Sequence, residues 1–236
     1  MKEKFKFLDD GIDFPFYNGV PKLSIAEWLL LFVAVTLLLI IIVSSALPQT
    51  IFPVAVCLVV LIPALYVCKG DYSIFFKKPK LRDFLTIILC LIGYYVYTFL
   101  ILFILQSIGY TASGNAILSS FENPTVLLIV STLLQLVGEE FLKILMLLIV
   151  MYVVYRFTNN RGLAIGLGVI ISLSVFGLAH SKAYHGRLLQ ILLIQGFGSI
   201  FDLYAYMKTK NVVVSYILHV LIDYIPFITI MLGYVA

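Results

Sequence analysis

Seven apolar runs divide the chain, at roughly Ala26–Leu47, Thr50–Cys68, Phe84–Ile108, Thr125–Tyr155, Leu163–His180, Leu188–Met207 and Val212–Val235. Each approaches or exceeds the ~20 residues that a helix needs to cross the hydrocarbon of a bilayer. None alternates apolar with polar positions, which excludes barrel strands. The pattern predicts an all-α, polytopic transmembrane bundle of about seven spans. It forms a single integral-membrane domain over residues 1–236. The run Thr125–Tyr155 is longer than a perpendicular crossing requires, so tilt or an extension beyond the bilayer is expected. The first run is too long and starts too late for a cleaved signal peptide, and reads as an anchor. The segment Gly109–Pro124 carries turn formers at Gly114, Asn115, Asn123 and Pro124 and reads as the main external loop.

Composition sharpens this picture. Hydrophobic residues make up 62% of the chain and charged residues 12%, against about 45–50% and about 25% in soluble domains. Soluble and disordered classes are both excluded. The net charge of +4 sits in short clusters between apolar runs, so no nucleic-acid partner is expected, and the lipid bilayer is the implied partner. Thirteen of the sixteen Lys and Arg flank alternate ends of the runs on one side, among them Lys2, Lys22, Lys77, Lys80, Arg156, Arg161 and Lys210. Only Lys182 and Arg187 lie in the opposite loops. This asymmetry predicts a cytosolic N-terminal tail over residues 1–25 and an external C-terminus. Trp28 reads as part of an interfacial aromatic belt. The Lys77-Lys78-Pro79-Lys80 stretch reads as a topology signal, with lipid or partner binding as the alternative. Cys57, Cys68 and Cys90 have no metal or redox spacing and read as buried thiols.

The informative residues are the charged ones inside the runs, because each costs about 2.5–3.5 kcal/mol at a helix centre. Run four carries Glu139, Glu140 and Lys143. Run five ends with His180, run six carries Asp202, and run seven carries His219 and Asp223. Lys143 stands at i+4 from Glu139 and i+3 from Glu140, so it can pair with either acid. Ser215, His219 and Asp223 form a polar stripe at i, i+4 and i+8, and Phe176 and His180 share a face. Small residues at Gly162, Gly166 and Gly168, and at Gly196, Gly198 and Ser199, let backbones approach closely. The C-terminal helices are therefore expected to enclose a polar centre. Asp202 is expected to be a packing or helix-end residue. Structural glue explains such a centre poorly, since Ser, Thr or Asn would serve at lower cost.

The order Glu139-Glu140, Phe176-Gly-Leu-Ala-His180 and His219-Val-Leu-Ile-Asp223 resembles the motif set of the CPBP superfamily. That superfamily holds the type II CAAX prenyl endopeptidases and the bacterial Abi proteins. The likeness covers about Val137–Tyr224, within a CPBP-like catalytic core over residues 125–235. The family's first motif has an Arg four positions after the second Glu, where this chain has Ile144. Its Lys143 gives a Glu-Glu-x-x-Lys spacing similar to that of the related PrsW proteases, whose second motif ends in Glu rather than His.

The resemblance implies an intramembrane glutamic endopeptidase in the cell membrane of a bacterium, with a peptide or membrane-protein substrate and no cofactor or metal. Glu139 with His180 would activate water, while His219 and Asp223 would orient and stabilise the oxyanion. Glu140 belongs to the same catalytic set, and Lys143, Phe176 and Ser215 would support it. In the family the last position is often Asn; an Asp there must be protonated to donate, or else it orients His219. Two His and the carboxylates can also ligate zinc, although no His-Glu-x-x-His lies on one helix. Other classes stay open: a non-catalytic scaffold or bacteriocin-immunity protein, and a proton-coupled transporter. Counting from the basic anchors at ~1.5 Å per residue puts His219 about 14 Å deep and His180 about 28 Å deep, a spread that tilt or a broken helix must absorb.

Overall fold

The computed structural model describes residues 12–44, 47–114 and 124–232. Among them every regular element is helical: α1 (Ile25–Ser44), α2 (Phe52–Val67), α3 (Leu81–Ser107), α4 (Val126–Thr158), α5 (Arg161–Ala179), α6 (Leu188–Thr209) and α7 (Val212–Met231). Each apolar run corresponds to one helix. The predicted end of the seventh run at Val235, and residues 115–123 of the predicted external loop, lie outside the described residues. Five helices, α1, α3, α5, α6 and α7, are long and apolar enough to cross a membrane, and α2 is a shorter apolar helix of 16 residues. The protein is an integral-membrane helical bundle.

The long helix α4 is its axis and packs against α1, α2, α5 and α7. At 33 residues it spans about 50 Å, well beyond a ~30 Å hydrocarbon core. Its start is capped by Thr125 Oγ1, which accepts from the Leu128 N–H at 3.1 Å. It ends at Asn159 in the left-handed conformation, after which Asn160 caps α5.

Two breaks shape the C-terminal helices, and α3 repairs both. In α6 the segment Ile191–Gly196 is a π-helix and Phe197–Ser199 a 3-10 turn. Gly196 lies so close to Gly177 of α5 that a Cβ on either would meet the other helix's backbone. Tyr97 of α3 donates its hydroxyl to the Leu193 carbonyl at 2.7 Å, inside this irregular stretch. In α7, Pro226 has no N–H to give the Ile222 carbonyl four residues back. Tyr95 of α3 supplies the missing donor at 3.1 Å.

The N-terminal segment packs into the bundle and corrects the reading of Trp28. Phe14, Phe16 and Tyr17 are buried in the main core. Phe16 meets Trp28 and Phe75 edge-on, Asp13 pairs with Arg161 at 2.9 Å, and the Lys210 ammonium stands over the Phe14 ring at 3.9 Å. Burial and the neighbouring Asp13 carboxylate push the Tyr17 phenol up, so it stays a donor to Asp13 Oδ2 at 2.7 Å. Trp28 does not face the lipid headgroups: it stacks on Tyr152 of α4 at 4.1 Å and is covered by this segment. The same packing removes one anchor of the depth count. Lys210, in the α6–α7 turn, is only 1% exposed. Lys210 therefore does not mark the surface from which a depth to His219 can be counted.

Candidate active site

Glu139 and Glu140 are neighbours on a helix that turns about 100° per residue, so their carboxylates address different groups. Just before them, Gly138 lets α4 press against the backbone carbonyl of Val56 in α2, a contact that a Cβ would obstruct. Glu139 faces a cavity. Its Oε1 accepts from Gln135 Nε2 at 2.7 Å. Its Oε2 lies 3.6 Å from His180 Nε2 and 3.9 Å from His219 Nε2. His180 is the C-cap of α5. Its Nδ1 lies 2.9 Å from the Phe176 carbonyl. That oxygen can only accept, so Nδ1 carries the proton and Nε2 presents its lone pair to Glu139 when the ring is neutral.

Glu140 faces the other way. Its Oε1 is 2.6 Å from the Lys143 ammonium and 2.9 Å from His219 Nδ1. The histidine contact is electrostatic rather than an aligned hydrogen bond. His219 thus turns Nδ1 to Glu140 and Nε2 to Glu139 and Asp223, with Asp223 Oδ2 at 3.9 Å. Of the two pairings open to Lys143, the structure makes the one with Glu140 and adds a second with Asp202.

Asp202 is the helix-end residue expected, in the first turn after the 3-10 segment, and this pairing adds a contact with the charged cluster. Its carboxylate is buried, contacts Lys143 and comes within 4.0 Å of His219 Nδ1. The irregular start of α6 hid this from the sequence, because helical spacing does not carry across a π-turn. Gln135 was also missed, although its i,i+4 relation to Glu139 was a usable signal. Phe176 holds the histidines apart, its ring centroid 4.6 Å from that of His180 and 6.1 Å from that of His219. Ser215 stays outside the cluster, its hydroxyl donating to the Val212 carbonyl of its own helix at 3.1 Å. Ile144, where the resemblance leads one to expect Arg, is fully buried in the apolar core.

Two cavities meet at these residues. A lobe of about 480 Å³, mostly apolar, lies between α2, α4 and α5 and reaches Gln49 and Lys182, at the end opposite the basic loops. A more polar lobe of about 240 Å³ lies among α3, α6 and α7. Glu139 lines the first, His219 and Asp202 line the second, and His180 and Asp223 line both. The arrangement offers a carboxylate and an imidazole lone pair facing one point, with further polar groups across it, at the junction of an apolar and a polar space.

Residues 121–225 match the family model described as type II CAAX prenyl endopeptidase Rce1-like. The chain is similar to this family over that segment, which is less than half of its length. The matched residues contain α4, α5, α6 and α7 as far as Ile225, and therefore every motif residue named above. Helices α1 to α3 lie outside the match, yet α2 walls the larger lobe and α3 repairs the two helix breaks. No curated protein and no solved structure matches the chain.

Proposed function

We propose that this protein is an intramembrane endopeptidase that hydrolyses a peptide or membrane-protein substrate with water activated by Glu139 and His180. The observation that carries the reading is the 3.6 Å separation of Glu139 Oε2 and His180 Nε2. It is too long for a direct hydrogen bond and short enough for one water to sit within about 2.8 Å of both. Glu139 would take the proton as water attacks the scissile carbonyl and pass it to the leaving amine. His219 Nε2 and Asp223 stand across the same point, where the oxyanion would develop. For His219 to donate from Nε2 while Nδ1 faces Glu140, it acts as an imidazolium, whose charge Glu140 balances. Asp223, 35% exposed at its side chain, either donates when protonated or orients His219.

The mostly apolar lobe suits an apolar stretch of substrate, and the polar lobe suits water. With the basic loops and N-terminus cytosolic, the larger lobe opens toward the outer half of the membrane, here the cell membrane of a bacterium. The test compares peptides released from membranes carrying the wild-type chain and Glu139→Ala. Peptides present only with the wild type are expected; identical peptide sets at equal expression would shift the reading to a non-catalytic scaffold or immunity protein.

A further inference from the structure

Glu140, Asp202 and His219 each turn one potential ligand atom toward a common point, and these atoms lie within 4.8 Å of one another. His219 Nδ1 is 2.9 Å from Glu140 Oε1 and 4.0 Å from Asp202 Oδ2. Those separations bracket the roughly 3.3 Å between neighbouring ligands of a tetrahedral ion bound at about 2.0–2.1 Å. Two carboxylate oxygens and an imidazole nitrogen make a donor set for a divalent transition metal.

The point is already taken. The Lys143 ammonium, fully buried, lies 2.6 Å from Glu140 Oε1 and against Asp202 Oδ2. Its third side faces the Phe176 ring, whose centroid is 4.6 Å away. Two carboxylates and a ring face account for the three N–H bonds of an ammonium. Glu140 Oε1 and His219 Nδ1, both buried, make no aligned hydrogen bond. Two of the three ligand atoms are thus gathered around a charge without directional bonds, while Asp202 Oδ2 accepts a hydrogen bond from the ammonium.

We propose that Lys143 is a tethered cation filling a three-ligand cation site built from Glu140, Asp202 and His219. Two buried carboxylates this close need a positive charge between them. Here the chain carries that charge itself, and a free ion must displace a covalently attached competitor. It follows that emptying the space the ammonium fills converts the cluster into a divalent-metal site. The inference does not depend on proteolysis and is tested without an activity assay.

The experiment titrates the purified full chain in detergent with cobalt(II), reading the visible absorption of tetrahedral coordination. The wild type is expected to show no such band. Lys143→Ala should bind one cobalt per chain, and zinc should displace it. Adding Asp202→Asn or His219→Ala to that variant should weaken binding by about tenfold or more. If Lys143→Ala is too unstable to purify, zinc during expression should restore its yield and melting temperature, whereas the Lys143→Met chain, whose side chain still fills the space, should not respond to zinc. A folded Lys143→Ala chain that ignores cobalt, an unstable one that zinc does not rescue, a zinc-rescued Lys143→Met chain, or a wild type that shows the band would each overturn the proposal.

Discussion

The pairing of Tyr95 with the proline break in α7 makes a quantitative prediction. Pro226 leaves the Ile222 carbonyl without its helical donor, and the Tyr95 hydroxyl fills that role from α3 at 3.1 Å. Replacing Tyr95 with Phe keeps the ring and removes only the donor. In an apolar bundle the orphaned carbonyl then costs about 1–3 kcal/mol. In a Pro226→Ala chain, residue 226 has an N–H again and the helix can satisfy Ile222 itself. There Tyr95→Phe should cost no more than about 0.5–1.5 kcal/mol, the net worth of one ordinary hydrogen bond. The double-mutant cycle should therefore show a coupling of about 1 kcal/mol with a defined sign: the tyrosine matters more when the proline is present. The assay is denaturant unfolding in mixed micelles, followed by helical circular dichroism, for the four chains. Equal cost of Tyr95→Phe in both backgrounds would refute the assignment of this hydroxyl to the proline break.

Other predictions bear on the site and its surroundings. Gln135→Leu removes the donor to Glu139 Oε1; a hydrogen bond to a charged group is worth about 1.5–3 kcal/mol, so kcat for the peptide substrate should fall by about 10–100-fold. Gly138→Val should push α2 off α4, since even a Cβ meets the Val56 carbonyl; overpacking of this kind costs about 1–3 kcal/mol and should lower the melting temperature. Phe14→Ala empties a core position that is 1% exposed and should cost about 3–5 kcal/mol, read by unfolding, with cleavage per folded molecule unchanged. Reporter fusions at the two ends should report opposite sides of the membrane, the N-terminus cytosolic; the same side at both ends would contradict the span count.

The sequence carried the helices well because lipid imposes a simple rule: every spanning segment must satisfy its own backbone, so it appears as a long apolar run. It also carried the convergence of Glu139, Glu140, His180, His219 and Asp223, since isolated charges in such runs are too costly to leave apart. Three features were illegible for physical reasons. Asp202 joins the cluster through a π-turn, whose register a 3.6-residue period does not follow. Trp28 looked interfacial because its position was right, but the buried Phe16 covers it, a contact between residues twelve apart that no local pattern encodes. The count to His219 began at Lys210, which lies buried, and a lysine in a loop is ordinarily assigned to the surface.

The central claim is that Glu139 is the base of a metal-independent hydrolysis. Glu139→Gln keeps the size of the side chain and a hydrogen-bonding group toward Gln135 but cannot take a proton. With the purified chain in proteoliposomes and a substrate drawn from the released-peptide comparison, the substitution should reduce cleavage by at least about 10²–10⁴-fold, with the melting temperature little changed and a strong chelator without effect on the wild type. Cleavage that survives Glu139→Gln, or that disappears with chelator and returns with zinc, would contradict the account.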